Sequence, residues 1–209
     1  MNISGGEVVV PENAQFGVHN ANFIELRALD LKAQQWVLTS PEWTRVLIVR
    51  NVVERFVSGF LDKVIKDCEK GENIHHAVNY YNQYGFSCDK HQDAEAFISL
   101  LESVPRMEGH FGPQASICLI GKFPYTDVIY ADENLDENLS RLSERLGIDH
   151  PHVEKGQNHS TGAKSKFLEI FKGKAHLVLR LLKLYDEDCR VLPKACEIGE
   201  LLSSLEEKS

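Results

Sequence analysis

Thr44-Arg45-Val46-Leu47-Ile48-Val49-Arg50-Asn51-Val52-Val53-Glu54-Arg55-Phe56-Val57-Ser58-Gly59-Phe60 is the stretch that decides the fold of this chain. Its first part, Thr44 to Val49, is short, almost continuously apolar and rich in β-branched residues. That composition predicts a strand buried on both faces of a parallel sheet. Apolar residues then fall at Val52, Val53, Phe56, Val57, Phe60, Leu61, Val64 and Ile65, in adjacent pairs four apart, which predicts an amphipathic helix. Asn51 stands at the N-cap and Glu54 at the capping-box position three residues later. The helix is expected to end near Lys70-Gly71. Arg50 therefore stands at a strand-to-helix junction. In open α/β sheets ligands collect at the carboxyl ends of strands. The first turn of the next helix offers free N–H groups and a partial positive charge. Arg50 adds a planar fork suited to phosphate. Asn51, Arg55, Ser58 and Asp62 recur on the face opposite the apolar stripe, so Ser58 can point toward the same anion. The plainer reading pairs Arg50 with a carboxylate and leaves Ser58 solvated.

Outward from this junction, strands and helices alternate. Glu7 to Val10 reads as a short strand ended by Pro11. Short helical stretches are expected over Asn22 to Ala28 and Leu31 to Leu38. Glu72 to His91 is a polar, aromatic stretch with no assigned element. Asp93 to Val104 reads as a helix stopped by Pro105, and Met107 to Ile120 as an ordered loop. Asp127 to Tyr130 reads as a second buried strand, followed by a helix marked by Leu135, Leu139, Leu142 and Leu146. His150 to Gly162 is a polar loop. Helix is expected over Lys164 to Asp186, with a break at Gly173, and over Ala195 to Glu207. Alternation of this kind predicts an α/β domain. The expected organisation is one domain over 1–209 with a flexible N-terminal segment over 1–15.

Composition narrows the function classes. The 209 residues are 43% hydrophobic and 26% charged, ordinary values for a globular protein. A net charge of −8 disfavours a nonspecific nucleic-acid binder, which needs a broad positive field. A small anion in a local basic pocket is still compatible with it. No apolar run approaches the roughly 20 residues that cross a bilayer. Met1 to Gly6 lacks the features of a signal peptide. The chain as it stands thus reads as carrying no anchor or export signal, which is cytoplasmic taken alone, and its location is left open. Cys68, Cys88, Cys118, Cys189 and Cys196 are scattered and contain no C-x-x-C, so reduced thiols are expected. A single bridge such as Cys88 to Cys118 is the alternative. Cys88, His91, His110 and Cys118 have acceptable zinc-ligand chemistry but irregular spacing, and no metal is expected. No Ser or Cys sits in a recognisable nucleophile elbow.

Val49-Arg50-Asn51-Val52-Val53-Glu54-Arg55-Phe56-Val57-Ser58-Gly59-Phe60 resembles the V-R-[DNE]-P-x-E-R-[LF]-x-S-x-[YF] segment of the carbohydrate sulfotransferases. Val52 replaces the usual Pro, which only presets the first helical turn. Three further segments resemble that family in the correct order. They are His110-Phe111-Gly112-Pro113-Gln114 with Cys118, Tyr125 to Leu135 with the helix after it, and His159-Ser160-Thr161-Gly162-Ala163 with Leu184-Tyr185-Asp186-Glu187-Asp188. Together they cover roughly Val18 to Leu192. The resemblance implies a P-loop-NTPase-like α/β fold with a central parallel sheet flanked by helices. It implies PAPS (3′-phosphoadenosine 5′-phosphosulfate) as sulfate donor, with its 3′-phosphate on Arg50 and Ser58 and Arg55 beside them. Thr161 and Gly162 would lie near the nucleotide, or else the same stretch caps the helix that begins near Ala163. The acceptor would be a hydroxyl of a carbohydrate or related molecule. Animal members of the family are mostly anchored in the Golgi with luminal catalytic domains.

One family motif has no counterpart. The family places a strand, a lysine-bearing P-K-x-[GAS]-[ST]-[ST]-like loop and a helix before all of these segments. That loop grips the 5′-phosphosulfate much as a P-loop grips phosphates. Met1 to Gln15 contains no lysine, so the first strand–loop–helix is expected to be missing. Sulfuryl transfer, like phosphoryl transfer, depends on positioning and on stabilising the leaving group's charge. The chain alone is therefore expected to be a weak or inactive catalyst. For the base that deprotonates the acceptor hydroxyl, His19 resembles the histidine of heparan sulfate 2-O-sulfotransferases, and His110 is the second candidate. Two functions are compatible with these residues: a PAPS-dependent sulfotransferase, or a truncated or degenerate relative that binds PAP(S) or a protein partner without catalysis.

Overall fold

The computed structural model describes residues 26–70, 76–131, 135–147, 163–199 and 202–203. The expected strand over Glu7 to Val10, the segment 1–15 and the polar loop 150–162 lie outside them. The chain divides into two compact units, Met1–Val46 with Gly121–Asp127, and Leu47–Ile120 with Val128–Ser209.

In the smaller unit α1 (Leu31–Thr39) begins at Asp30, whose carboxylate accepts from the Ala33 N–H at 2.8 Å. Arg45 ties this unit together. Its guanidinium donates to the carbonyls of Val37 (3.0 Å), Ser40 (2.9 Å) and Pro124 (2.6 Å). Its backbone N–H donates to Thr126 Oγ1 at 2.9 Å. Trp36 and Trp43 meet edge to face at 5.4 Å.

Two strands, β1 (Val46–Val49) and β2 (Asp127–Tyr130), form a parallel pair. The Asp127 N–H donates to the Arg45 carbonyl, and four residues on the Ala131 N–H donates to the Val49 carbonyl. In the larger unit α2 (Val52–Gly59) runs without a break through a π-helical stretch, Phe60–Ile65, into α3 (Lys66–Lys70). Next come α4 (His76–Asn82), α5 (Cys88–His91), α6 (Ala94–Ser103), α7 (Gln114–Ile117), α8 (Leu135–Leu146), α9 (Ala163–Phe171), α10 (Ala175–Leu184) and α11 (Asp186–Val191). A 3₁₀ turn, Pro193–Cys196, succeeds α11 and replaces the start of the expected terminal helix.

The α2 stripe builds the core. Val52, Val53, Phe56, Val57, Phe60 and Val64 are all at most 2% exposed. Leu61 and Ile65 are only half-buried, because the wider π turn rotates the stripe away from the core. Phe56 stacks on Phe60 and meets Phe97, Phe111 and Phe171 at 6.2–6.4 Å. Each such ring contributes about 1.5–3 kcal/mol through burial. Leu177, Val178 and Leu181 of α10 complete the core.

Three expectations need correction. The sheet is not buried on both faces. Leu47, Val49 and Ile129 are buried, yet Ile48 is 54% and Val128 45% exposed. Among the described residues, helices pack against only one face. Second, the thiols are not all reduced: Cys68 pairs with Cys88 and Cys189 with Cys196, while Cys118 stays a thiol. Spacing along the chain cannot reveal that α3 and α5 bring Cys68 and Cys88 to a Cα separation of 5.4 Å. Third, the unassigned stretch from Glu72 to His91 contains two helices, α4 and α5, and the loop to Ile120 contains α7.

Candidate functional site

Asn51 caps α2 as its residue type predicts. Its side-chain oxygen accepts from the N–H groups of Val53 (3.0 Å) and Glu54 (3.3 Å). Its side-chain nitrogen donates to the Glu197 carbonyl at 2.8 Å, which ties the chain after α11 to the start of this helix.

Arg50 sits half-buried between β1 and α2. One side chain holds both of its backbone polar groups. The Arg50 N–H donates to Gln114 Oε1 at 3.0 Å, and Gln114 Nε2 donates to the Arg50 carbonyl at 2.9 Å. Gln114 is itself fixed. Asp188, wholly buried, accepts from the backbone N–H of Gln114 at 2.9 Å and of Ala115 at 2.6 Å. Asp188 thus satisfies the orphan donors of the first turn of α7. A chain of hydrogen bonds, charge-assisted at Asp188, runs from α11 through α7 to the end of β1. It holds the Arg50 backbone by both polar groups, with the guanidinium beyond the clamp. Among the described residues no acid pairs with that guanidinium. A half-buried arginine without a carboxylate, beside a capped helix N-terminus, complements an anion.

Ser58 lies half-buried two turns along α2. Arg55 is turned toward the protein. Its guanidinium donates to the carbonyls of His110 (3.4 Å) and Gly112 and lies over the Tyr185 ring, 5.5 Å from its centroid. Arg55 Nε and Tyr185 Oη are both buried without a hydrogen-bond partner among the described residues. Burial pushes the Tyr185 hydroxyl up to about 12, against a smaller opposing effect of the Arg55 charge. Burial likewise raises the nearby Cys118 thiol, again opposed by Arg55. Gly59 completes the fit: a Cβ there would meet Phe111 at 3.2 Å, so only glycine lets the 110–112 loop lie this close to α2 without a shift.

His110 stands on that loop with a partner the sequence reading overlooked. Its Nδ1 lies 2.9 and 3.0 Å from the two carboxylate oxygens of Glu108, and its backbone N–H donates to the same carboxylate at 2.8 Å. The Glu108 N–H in turn donates to Tyr81 Oη at 3.0 Å. An imidazole facing a carboxylate in this way carries its proton on Nδ1 and leaves Nε2 as the acceptor. Gly109 and Gly112, on either side of His110, line a cleft of about 400 Å³ with Leu101, Met107, Ile117 and Leu184. His19, Thr161 and Gly162 lie outside the described residues. The proximity of Glu108, two positions before His110, was visible in the sequence; the roles of Gln114 and Asp188 were not.

Among the described residues no cluster of acids, histidines and cysteines could hold a metal ion. No described helix is long and apolar enough to cross a membrane. A sequence model described as "Sulfotransferase family" matches residues 11–194. No curated protein and no solved structure matches the chain.

Proposed function

This chain belongs to the sulfotransferase family, and on that premise we propose that the junction from Arg50 to Ser58 holds the 3′-phosphate of PAPS. The observation that carries the reading is the Arg50 guanidinium, half-buried at the N-terminus of α2 with no acid partner among the described residues, on a backbone clamped by Gln114. Ser58, on the same helix, supplies a hydroxyl. Arg55, engaged with the 110–112 carbonyls, positions that loop against α2 and contributes to the field around the phosphate. Thr161 and Gly162 close over the nucleotide in this proposal.

PAPS supplies the sulfuryl group when bound. The acceptor is a hydroxyl-bearing molecule, and a carbohydrate fits the motif resemblance. The acceptor hydroxyl must lose its proton as it attacks sulfur. We assign that proton to His110 Nε2, because Glu108 fixes the ring and stabilises the imidazolium that forms. His19 is the alternative base. The cleft beside Gly109 and Gly112 is where we place part of the acceptor.

A second reading, a relative that binds PAP(S) without transferring sulfate, is favoured by two observations. Residues 1–31 contain no lysine, the residue type that the family resemblance assigns to the 5′-phosphosulfate. Ile48 and Val128 are exposed on the sheet face that no described helix covers, whereas the family resemblance implies a sheet flanked by helices.

Calorimetry with PAP (adenosine 3′,5′-bisphosphate) tests the shared part of both readings. Wild-type protein should bind it, and Arg50→Ala should lower affinity at least about 100-fold, the loss of a bidentate charged contact. Equal binding by that variant would show that the phosphate site is misassigned. Sulfate transfer from labelled PAPS by the same preparation separates the two readings.

A further inference from the structure

Two supports reach the Arg50 junction from the end of the larger unit, and they leave from either side of one disulfide. In the first, the Asp188 carboxylate accepts from the N–H groups of Gln114 (2.9 Å) and Ala115 (2.6 Å), and Gln114 holds both backbone polar groups of Arg50. In the second, the Glu197 carbonyl accepts from the Asn51 side chain at 2.8 Å, and Asn51 caps α2. Asp188 is the residue before Cys189, and Glu197 is the residue after Cys196. Cys189 and Cys196 are bonded to each other, with their Cα atoms 5.4 Å apart. The bond therefore joins the roots of both supports: α11, which carries Asp188, and the 3₁₀ turn Pro193–Cys196, which leads into Glu197.

Backbone hydrogen bonds shape the turn itself. The Leu192 N–H donates to the Asp188 carbonyl at 2.7 Å, the Ala195 N–H to the Leu192 carbonyl at 2.9 Å, and the Glu197 N–H to the Lys194 carbonyl at 3.3 Å. The disulfide adds a covalent link from the far end of the turn back to α11. Both of its cysteines are half-buried, which leaves the bond within reach of a small thiol. The other disulfide differs in its connections. Cys68–Cys88 joins α3 to α5, and neither cysteine is adjacent to a residue of the clamp.

We propose that the Cys189–Cys196 disulfide is a positioning element of the phosphate site, and that its reduction by a dithiol loosens the hold on Arg50 and on the start of α2. The inference rests on the phosphate assignment made above. The dithiol breaks the S–S bond by two successive thiol–disulfide exchanges. It is oxidised to a disulfide, and Cys189 and Cys196 are left as thiols, so two electrons and two protons pass to the protein. With the link cut, Asp188 and Glu197 are no longer held as one unit. The Gln114 clamp and the Asn51 cap then open locally more often. Cutting Cys68–Cys88 releases neither support.

The test is PAP calorimetry and amide hydrogen exchange, with and without dithiothreitol, on three proteins. They are wild type, the pair Cys189→Ser with Cys196→Ser, and the pair Cys68→Ser with Cys88→Ser. Reduction of wild type should weaken PAP about tenfold, an ordinary coupling between two sites, and should speed exchange at the Gln114 and Ala115 N–H groups. The Cys189 and Cys196 pair should show both changes without reductant and no further change with it. The Cys68 and Cys88 pair should keep wild-type affinity when oxidised, whatever it loses in thermal stability. Arg50→Ala should cost less affinity in the Cys189 and Cys196 pair than in wild type, because the two act through one backbone. Where a pair variant does not fold, mass mapping of the open disulfide during partial reduction of wild type assigns the loss to one bond or the other. If reductant still weakens PAP in the Cys189 and Cys196 pair as it does in wild type, the inference is overturned. Unchanged exchange at Gln114 and Ala115, or an equal cost of Arg50→Ala with and without the disulfide, overturns it too, because the bond then contributes only general stability. If oxidised wild type binds PAP no better than Arg50→Ala, the phosphate assignment itself fails and takes this inference with it.

Discussion

The two edges and faces of β1 are in opposite condition. On one side β1 pairs with β2, buries Leu47 and Val49, and leads into Arg50, whose backbone is clamped by Gln114 under Asp188. On the other, Ile48 and Val128 face outward, and no described strand pairs along the second edge. The finished side is the one that carries the proposed phosphate-binding arginine. Precision at this junction comes from backbone clamps built by distant side chains, and not from the depth of the sheet. A two-stranded parallel pair is rarely stable alone. Here the helices on the buried face and the polar clamps at the strand end stabilise it.

The contrast can be broken by mutation. The largest effect should come from Asp188→Ala, which leaves two buried N–H groups of α7 without their charged acceptor. Urea unfolding should show a loss of about 3–5 kcal/mol, from two hydrogen bonds to a charged group. A loss under about 1 kcal/mol would mean that α7 is satisfied in another way and that the clamp begins elsewhere. Gln114→Ala is next. It removes both bonds to the Arg50 backbone and should cost about 1–3 kcal/mol. PAP affinity should fall with it although Gln114 touches no ligand in this scheme, and Gln114→Glu should recover only the bond accepted from the Arg50 N–H. The smallest effect belongs to the open face. Ile48→Lys should change stability by no more than about 0.5 kcal/mol, as for an exposed site. A loss of several kcal/mol would show that this face is covered in solution and would erase the contrast.

The strand, the helix and the cap at this junction were legible in the sequence because each is a local pattern. The paired apolar residues from Val52 to Val64 point at one face, and Asn51 is a residue type that accepts from the first turn. The clamps were not legible in the same way. Gln114 lies 64 positions from Arg50, and Asp188 lies 74 from Gln114. A side chain that satisfies a distant backbone leaves no period in the sequence. Spacing put Arg55 and Ser58 on one face of the helix, but it could not say that the Arg55 guanidinium would be taken up by the carbonyls of the 110–112 loop. The motif resemblance placed Arg50, Gln114 and Asp188 in three separate segments and did not connect them. The structure supplies that connection, because the three form one hydrogen-bonded chain.

The Gln114 amide also sets a limit on the sheet. In a parallel ladder alternate residues direct both backbone groups to the same edge. Arg45 and Val49 direct theirs to β2, so Ile48 and Arg50 direct theirs to the open edge. Gln114 already occupies both groups of Arg50. Any strand that docks along that edge, from this polypeptide or another, can pair with Ile48 but must stop one step short of Arg50. The glutamine is thus a terminator for sheet growth, and it keeps Arg50 out of any ladder the open edge could recruit.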